Sequence, residues 1–189
     1  MNLDSFTLKN FLEEMKDPRK KTFLNIYEEY SDLFHFAVGS CHNHQAWRGG
    51  YADHITECLR INTVTYDALE LIRPLTFTKD QALVCLFLHD IEKPFKYALK
   101  GHIEGDKWKC KWSSGLSWED IKWSIIIELI EKYKFSLSTE EQNAIRYSHG
   151  EGNSHNKFSR VAGPLAAHVH HCDNTSARIY YNDGKGLSK

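Results

Sequence analysis

The chain has 189 residues, of which 41% are hydrophobic and 26% charged, enough apolar side chain for one domain with a real core and too much for a disordered chain. Lys plus Arg is 24 against 25 Asp plus Glu, a net charge of −1, which excludes a bulk polycation holding nucleic acid by charge alone but leaves room for a local basic groove. Histidine is over-represented at 11 residues, and imidazole is both the commonest metal ligand and the usual acid/base near neutral pH.

In chain order, Leu8, Phe11, Leu12 and Met15 recur at helical spacing and predict a short helix ending before Pro18. Phe23, Ile26, Tyr27, Tyr30, Leu33 and Phe34 predict a second helix from Arg19 to about Phe36. The period breaks from Val38 to Gly50, a stretch read as a loop, and a long helix follows from about Tyr51 to Ile72, closed by Pro74. Thr78 is placed to cap the next helix, whose run Ala82–Leu88 is apolar on nearly every side and therefore central, with Pro94 ending or kinking it. Residues 98–116 are less regular. The alternation Lys107, Trp108, Lys109, Cys110, Lys111, Trp112 has a period of two and suggests a small β flap around 100–115. Ser117 starts a helix to about Lys134, and Ser138 with Glu141 forms a capping box for a helix to about Tyr147. A polar loop at 150–156 precedes a last helix from about Val161 to Tyr180, and the tail is expected to fray. Every firm element is helical, so the expected fold class is all-α. The organisation is read as N-terminal helices at 1–36 packed on a core domain at 37–181, with a polar tail at 182–189.

The five cysteines are odd in number, widely spaced and without a C-x-x-C pair, so a disulfide framework or cysteine-rich zinc site is not expected. Reduced thiols point to a cytoplasmic protein, and Cys58, Cys85 and Cys172 read as small hydrophobes in apolar helices. No apolar run is long enough to cross a membrane, and the N-terminus lacks the uninterrupted apolar stretch of a signal peptide.

Four places carry chemistry. His54 lies at the start of the long helix. His89 and Asp90 are adjacent near the end of the most apolar helix. His149 closes a helix, and His170 and Asp173 are three apart on the last helix and share a face. A carboxylate at Asp90, within such an apolar element, needs a compensating cation, because an unpaired buried charge is costly. A divalent metal would supply it, and mixed imidazole and carboxylate donors suit Zn, Fe, Mn, Co or Ni, with Mg held mainly through carboxylates. Each histidine taken singly is also compatible with an ordinary hydrogen-bonded position, as His35, His102 and His155 are read.

Taken together, His54, His89, Asp90 and Asp173 match in order the H…HD…D pattern, and the chain resembles the HD-domain superfamily of metal-dependent phosphohydrolases. The likeness is closest to HD modules of certain bacterial 3′–5′ exoribonucleases, which carry an H-x-A-aromatic-x-G-G loop. Here that loop is His44-Gln45-Ala46-Trp47-Arg48-Gly49-Gly50, followed by Tyr51-Ala52-Asp53-His54. A Ser-His-His-Gly-type segment is matched by Ser148-His149-Gly150-Glu151 with one His fewer, and the likeness spans roughly residues 41–178. The resemblance implies an HD-type helical bundle holding one or two divalent ions. His54, His89, Asp90 and Asp173 would hold the primary ion, with His149 and His170 as ligands of a second or as donors to phosphate. Lys93 matches the lysine of the family's HD-x-x-K motif and is expected to meet a phosphate oxygen. Asp90, Lys93 and His149 are thereby the expected catalytic residues. His44, Arg48, Lys93 and Lys96 are the expected substrate contacts. Gln45 and Ser148 stand where that branch often has a second His. Glu92 replaces a usually small residue and reads as a solvated charge, ahead of a partner for a ligand His or a further acid/base. His42, His168 and His171 lie near enough in sequence to support the ligands.

The implied activity is hydrolysis of the phosphate ester of a nucleotide, with short nucleic acid possible. The Lys–Trp alternation at 107–112 would suit a base-stacking platform, but tryptophans packed on the body with lysines in water is the reading favoured there. Two other classes stay open: a di-iron HD-fold oxygenase, and a non-enzymatic module keeping a structural metal. A 3′–5′ exonuclease-type phosphodiesterase stays open as well, as a variant of the hydrolase reading. Oligomeric state is not legible.

Overall fold

The computed structural model describes residues 3–40, 44–97 and 117–181, and every regular element in them is helical. The α-helices are α1 Leu8–Glu14, α2 Lys20–Phe36, α3 Gly50–Ile72, α4 Lys79–Leu88, α5 Glu92–Tyr97, α6 Trp118–Tyr133, α7 Thr139–Arg146 and α8 Pro164–Ile179. Short 3-10 turns cover Leu3–Ser5 and Gly152–Ser154. Among the described residues the one strand-like pairing is an isolated bridge between Asn156 and Ser159. The flap expected at 100–115, its lysines and tryptophans, and the tail from 182 lie outside the described residues.

Local chemistry sets where helices begin. Thr7, Thr78, Ser117 and Ser138 each accept from the backbone N–H three residues on. The side chains of Asn10, Gln81, Asp120 and Glu141 return the bond to the cap's own N–H. Each such cap contributes on the order of 1 kcal/mol. Pro94 neither ends nor kinks the apolar helix, as its position had suggested. α4 stops at Leu88, the chain turns through His89–Ile91, and Pro94 falls in the first turn of α5, where a missing N–H goes unused. α8 begins at Pro164 rather than near Val161 for the same reason, with Pro as its first residue.

Helix α4 is the axis of the bundle: all seven residues Ala82–Leu88 are buried, and α3, α7 and α8 pack around it. Helix α2 closes the other side against α1, α3, α5 and α6. Phe23 and Phe34 of α2 meet Phe87 of α4 edge-on at centroid distances of 5.5 and 5.9 Å, and Phe34 also packs on Tyr51 of α3 at 5.3 Å. Polar ties pin the N-terminal segment. Asp80 accepts from the backbone N–H groups of Lys16 (2.7 Å) and Asp17 (2.8 Å). The Arg19 guanidinium bridges Asp17 (2.7 Å) and Glu141 (2.6 Å), joining the start of α2 to α7. Cys58, Cys85 and Cys172 are buried free thiols. No helix among the described residues is long and apolar enough to cross a membrane.

Candidate metal centre

The 44–50 loop shapes the approach to His54. Gly49 has φ +83° at the N-cap of α3, and a Cβ on Gly50 would lie 1.9 Å from the Gln45 carbonyl oxygen, so a side chain at Gly50 has no room. That close crossing buries Gln45. Its Nε2 donates to Ser176 Oγ (3.3 Å) and to the Tyr180 carbonyl (3.1 Å), while its Oε1 accepts from His44 Nδ1 (2.7 Å). The loop therefore ties the start of α3 to the end of α8, and the His44 ring packs 4.8 Å from that of His54.

Three elements then deliver four donors to one point. His54 comes from the first turns of α3, His89 and Asp90 from the turn after α4, and Asp173 from α8. One ligand atom from each lies within 4.8 Å of the others, all four residues are buried, and the group could hold a metal ion. His54 Nε2 is 3.2 Å from Asp173 Oδ1 and 3.6 Å from Asp90 Oδ2. His89 Nε2 is 3.3 Å from Asp90 Oδ2 and 3.5 Å from Asp173 Oδ1. The Nδ1 atoms are engaged behind: that of His89 donates to the Leu86 carbonyl (2.7 Å), and that of His54 meets Ser176 Oγ (3.0 Å). Such outer bonds fix the ring and leave Nε2 facing inward.

The electrostatics draw positive charge to this point. His89 Nε2 and both Asp90 carboxylate oxygens are buried without an aligned hydrogen bond, although ion-pair contacts surround them. Burial is the largest single influence on Asp90 and opposes its charge, yet Lys93 and His89 outweigh it and hold the carboxyl well below its usual range. Asp173 is likewise lowered, burial being overcome by the close His54 and His89 imidazoles. On His89 burial acts downward, but Asp90 and Asp173 prevail and raise it to about 10. His54, where burial wins, falls to about 4. Two carboxylates are thus balanced by His89 imidazolium and Lys93, whose Nζ is 2.5 Å from Asp90 Oδ2. A divalent ion fits this donor set by taking the place of the His89 proton.

His149 Nε2 approaches from the α7–α8 connection, 3.2 Å from Asp90 Oδ1 and 3.9 Å from Asp173 Oδ2. Its side chain is 53% exposed, which marks the solvent side of the centre. His170 is set apart from the four clustered donors: its Nδ1 donates to the Ser148 carbonyl (2.8 Å), and its ring backs onto Gly150. The Arg48 guanidinium lies 3.8 Å from the Phe36 ring centroid, and Lys96 Nζ 4.3 Å from that of Trp118.

Glu92 departs from the solvated charge expected of it. It is 8% exposed with one oxygen unpartnered, and burial, then the charge on Asp90, raises it to about 7. His168, grouped by sequence with the supporting residues, faces elsewhere and bonds Asn62. His42 lies outside the described residues. Two contributors, Ser176 and Lys122, were not singled out from sequence, and a third, Gln45, was noted only as standing where a second His is often found. Ser176 had a signal, lying three residues after Asp173 on one helical face. Gln45 had only its place in the loop. Lys122 had none: a lysine beside Ile121 reads as solvated, yet it is buried, pairs with Glu119 (2.7 Å) and pulls Glu92 back toward its charged form.

Comparison of the chain with models of known protein families finds no match, and comparisons with curated proteins and with solved structures find none either.

Proposed function

We propose that the chain is an HD-domain phosphohydrolase that uses a divalent metal to hydrolyse the phosphate ester of a nucleotide or short nucleic acid. The observation that carries this reading is Asp90, a fully buried carboxylate with both oxygens unaligned to any hydrogen-bond donor, facing His54, His89 and Asp173. Those four residues would hold the ion, and two nitrogen with two oxygen donors suits Mn, Fe, Co, Ni or Zn. A bound ion would bring the pKa of a coordinated water from about 15.7 toward ~7 and polarise the phosphoryl oxygens.

The rest falls to side chains. Hydrolysis adds water across the P–O bond, so one proton must leave the water and one must reach the departing oxygen. His149, whose exposed side chain touches Asp90 Oδ1 through Nε2, accepts the first proton and delivers the second, and Asp90 orients its imidazole. Lys93 stays cationic, since burial acts against its charge but Asp90 more than compensates, and its ammonium offers charge to a phosphoryl oxygen. His44, packed over His54, shields the buried side of the site from water.

The test is metal content, followed by turnover of nucleoside mono-, di- and triphosphates, cyclic nucleotides and short oligonucleotides with Mn, Mg, Zn, Co and Ni. Phosphate release or oligonucleotide laddering that needs the metal and is lost in His89→Ala is expected. Two equivalents of iron with oxygen uptake and no phosphate release would overturn it in favour of the oxygenase reading.

A further inference from the structure

Beside the centre, the connection from α7 to α8 folds back on α8 and forms an open cleft of about 790 Å³. Both ends of this connection are held. Glu151 accepts from the backbone N–H groups of Val161 (3.3 Å) and Ala162 (3.1 Å) and pairs with His155 (2.9 Å). Asn143 accepts from the Gly163 N–H (2.8 Å) and donates to the Val161 carbonyl (2.8 Å). The cleft volume is that of a small-molecule site.

His170, Gly150, Ala167, Lys157, Phe158 and Arg160 are among the residues that line the cleft. Phe158 is 85% exposed, so its ring is open to a ligand, and Lys157 Nζ lies 4.8 Å from its centroid. The one carboxylate in the lining, Glu151, is already engaged by two backbone N–H groups and His155, so the cleft presents cations. The cleft also adjoins the metal centre through consecutive residues. The Ser148 carbonyl holds His170, a cleft residue, while His149 reaches Asp90. Gly150, at φ +92°, turns the chain between the two, a conformation that favours glycine.

A ligand spanning both places must be anionic at the centre and present a flat aromatic face, with further anionic or polar groups near Arg160 and Lys157. We propose that this cleft is the nucleoside subsite of the centre, in which Phe158 stacks on the base of a nucleotide and Arg160 and Lys157 face the polar groups of its sugar. The inference rests on the phosphohydrolase reading only for the group placed at the metal.

Titration calorimetry on the full chain in chelator separates the two. AMP, GMP, CMP and UMP should each bind more tightly than ribose 5-phosphate. Phe158→Ala should weaken nucleotide binding about tenfold, as loss of one base–aromatic stack does, and Phe158→Trp should restore it. Arg160→Ala should weaken nucleotides and ribose 5-phosphate alike. Equal affinity for nucleotides and ribose 5-phosphate, or unchanged nucleotide affinity in Phe158→Ala, overturns the subsite whatever the turnover assays give. Base-selective binding in a protein that hydrolyses no phosphate ester with any metal supports the subsite and overturns the hydrolase reading.

Discussion

Helices α3 and α8 hold two buried histidine environments, about two turns apart, and the two differ in kind. At one, His54 and His89 face Asp90 and Asp173. At the other, His168 Nε2 donates to Asn62 Oδ1 (2.8 Å), with the rings of Phe77 and Tyr66 at 5.4 and 6.3 Å. A thiol lies against each, Cys58 at 3.8 Å from His54 and Cys172 at 3.8 Å from His168. The surroundings are equally buried, yet only the first has two carboxylates to neutralise. Burial, with a smaller push from His171, brings His168 down to about 4 and leaves it a neutral, hydrogen-bonded core residue. The carboxylates instead raise His89 to about 10 and create a demand for positive charge. A buried imidazole is therefore no sign of a ligand; buried imidazoles facing two buried carboxylates are.

The sharpest break in this contrast is Asp90→Ala. It removes a ligand and the main support for positive charge at His89 and Lys93, so metal affinity should fall by more than the roughly 10–100-fold that loss of an outer partner costs. Stabilisation by metal, about 2.7 kcal/mol at one hundred times the dissociation constant, should vanish from thermal melts while the helical spectrum persists. A melt of Asp90→Ala that still rises with metal would place the ion elsewhere.

Ser176→Ala probes the same side more gently. It deletes the oxygen behind His54 Nδ1, and metal affinity in a competitive chelator titration should drop by roughly 10–100-fold, with turnover kept at saturating metal. An unchanged affinity would mean that the Ser176 contact does not orient the ring.

The second environment gives the smaller effects. His168→Leu leaves Asn62 Oδ1 without its imidazole donor and should cost about 1–3 kcal/mol in denaturant unfolding, with metal affinity unchanged. The pH dependence follows from the same residue. Its folded value near 4 lies below the ordinary 6.5, so the unfolded chain takes up the proton first as pH falls. The stability it contributes is complete above about 6.5 and is lost between there and about 4. His54, lowered to about 4, acts in the same direction, whereas His89, raised to about 10, contributes below 6.5 and loses its share as pH rises through 10. Melting temperatures of His168→Leu should accordingly fall less between pH 7 and pH 5 than those of the parent chain. An equal fall would assign that acid sensitivity to His54 alone.

Much of this was legible in the residues themselves. Helix period and the capping pairs at Thr78, Ser117 and Ser138 are local properties, and each cap acts within three residues of its own position, so no tertiary contact is needed to read it. The solid apolar run Ala82–Leu88 likewise demanded a central place, and the adjacent carboxylate at Asp90 demanded a cation. Only the packing decided the rest. It put His168 in a neutral pocket although it stands two residues from His170, because successive positions on a helix face different neighbours. It buried Glu92 and Lys122, which local polarity assigns to water, and turned Gln45 into the tie between α3 and α8. Polarity and period belong to a residue and its near neighbours in sequence. The charge a side chain carries depends on which helices meet around it, and that is settled only when the bundle closes.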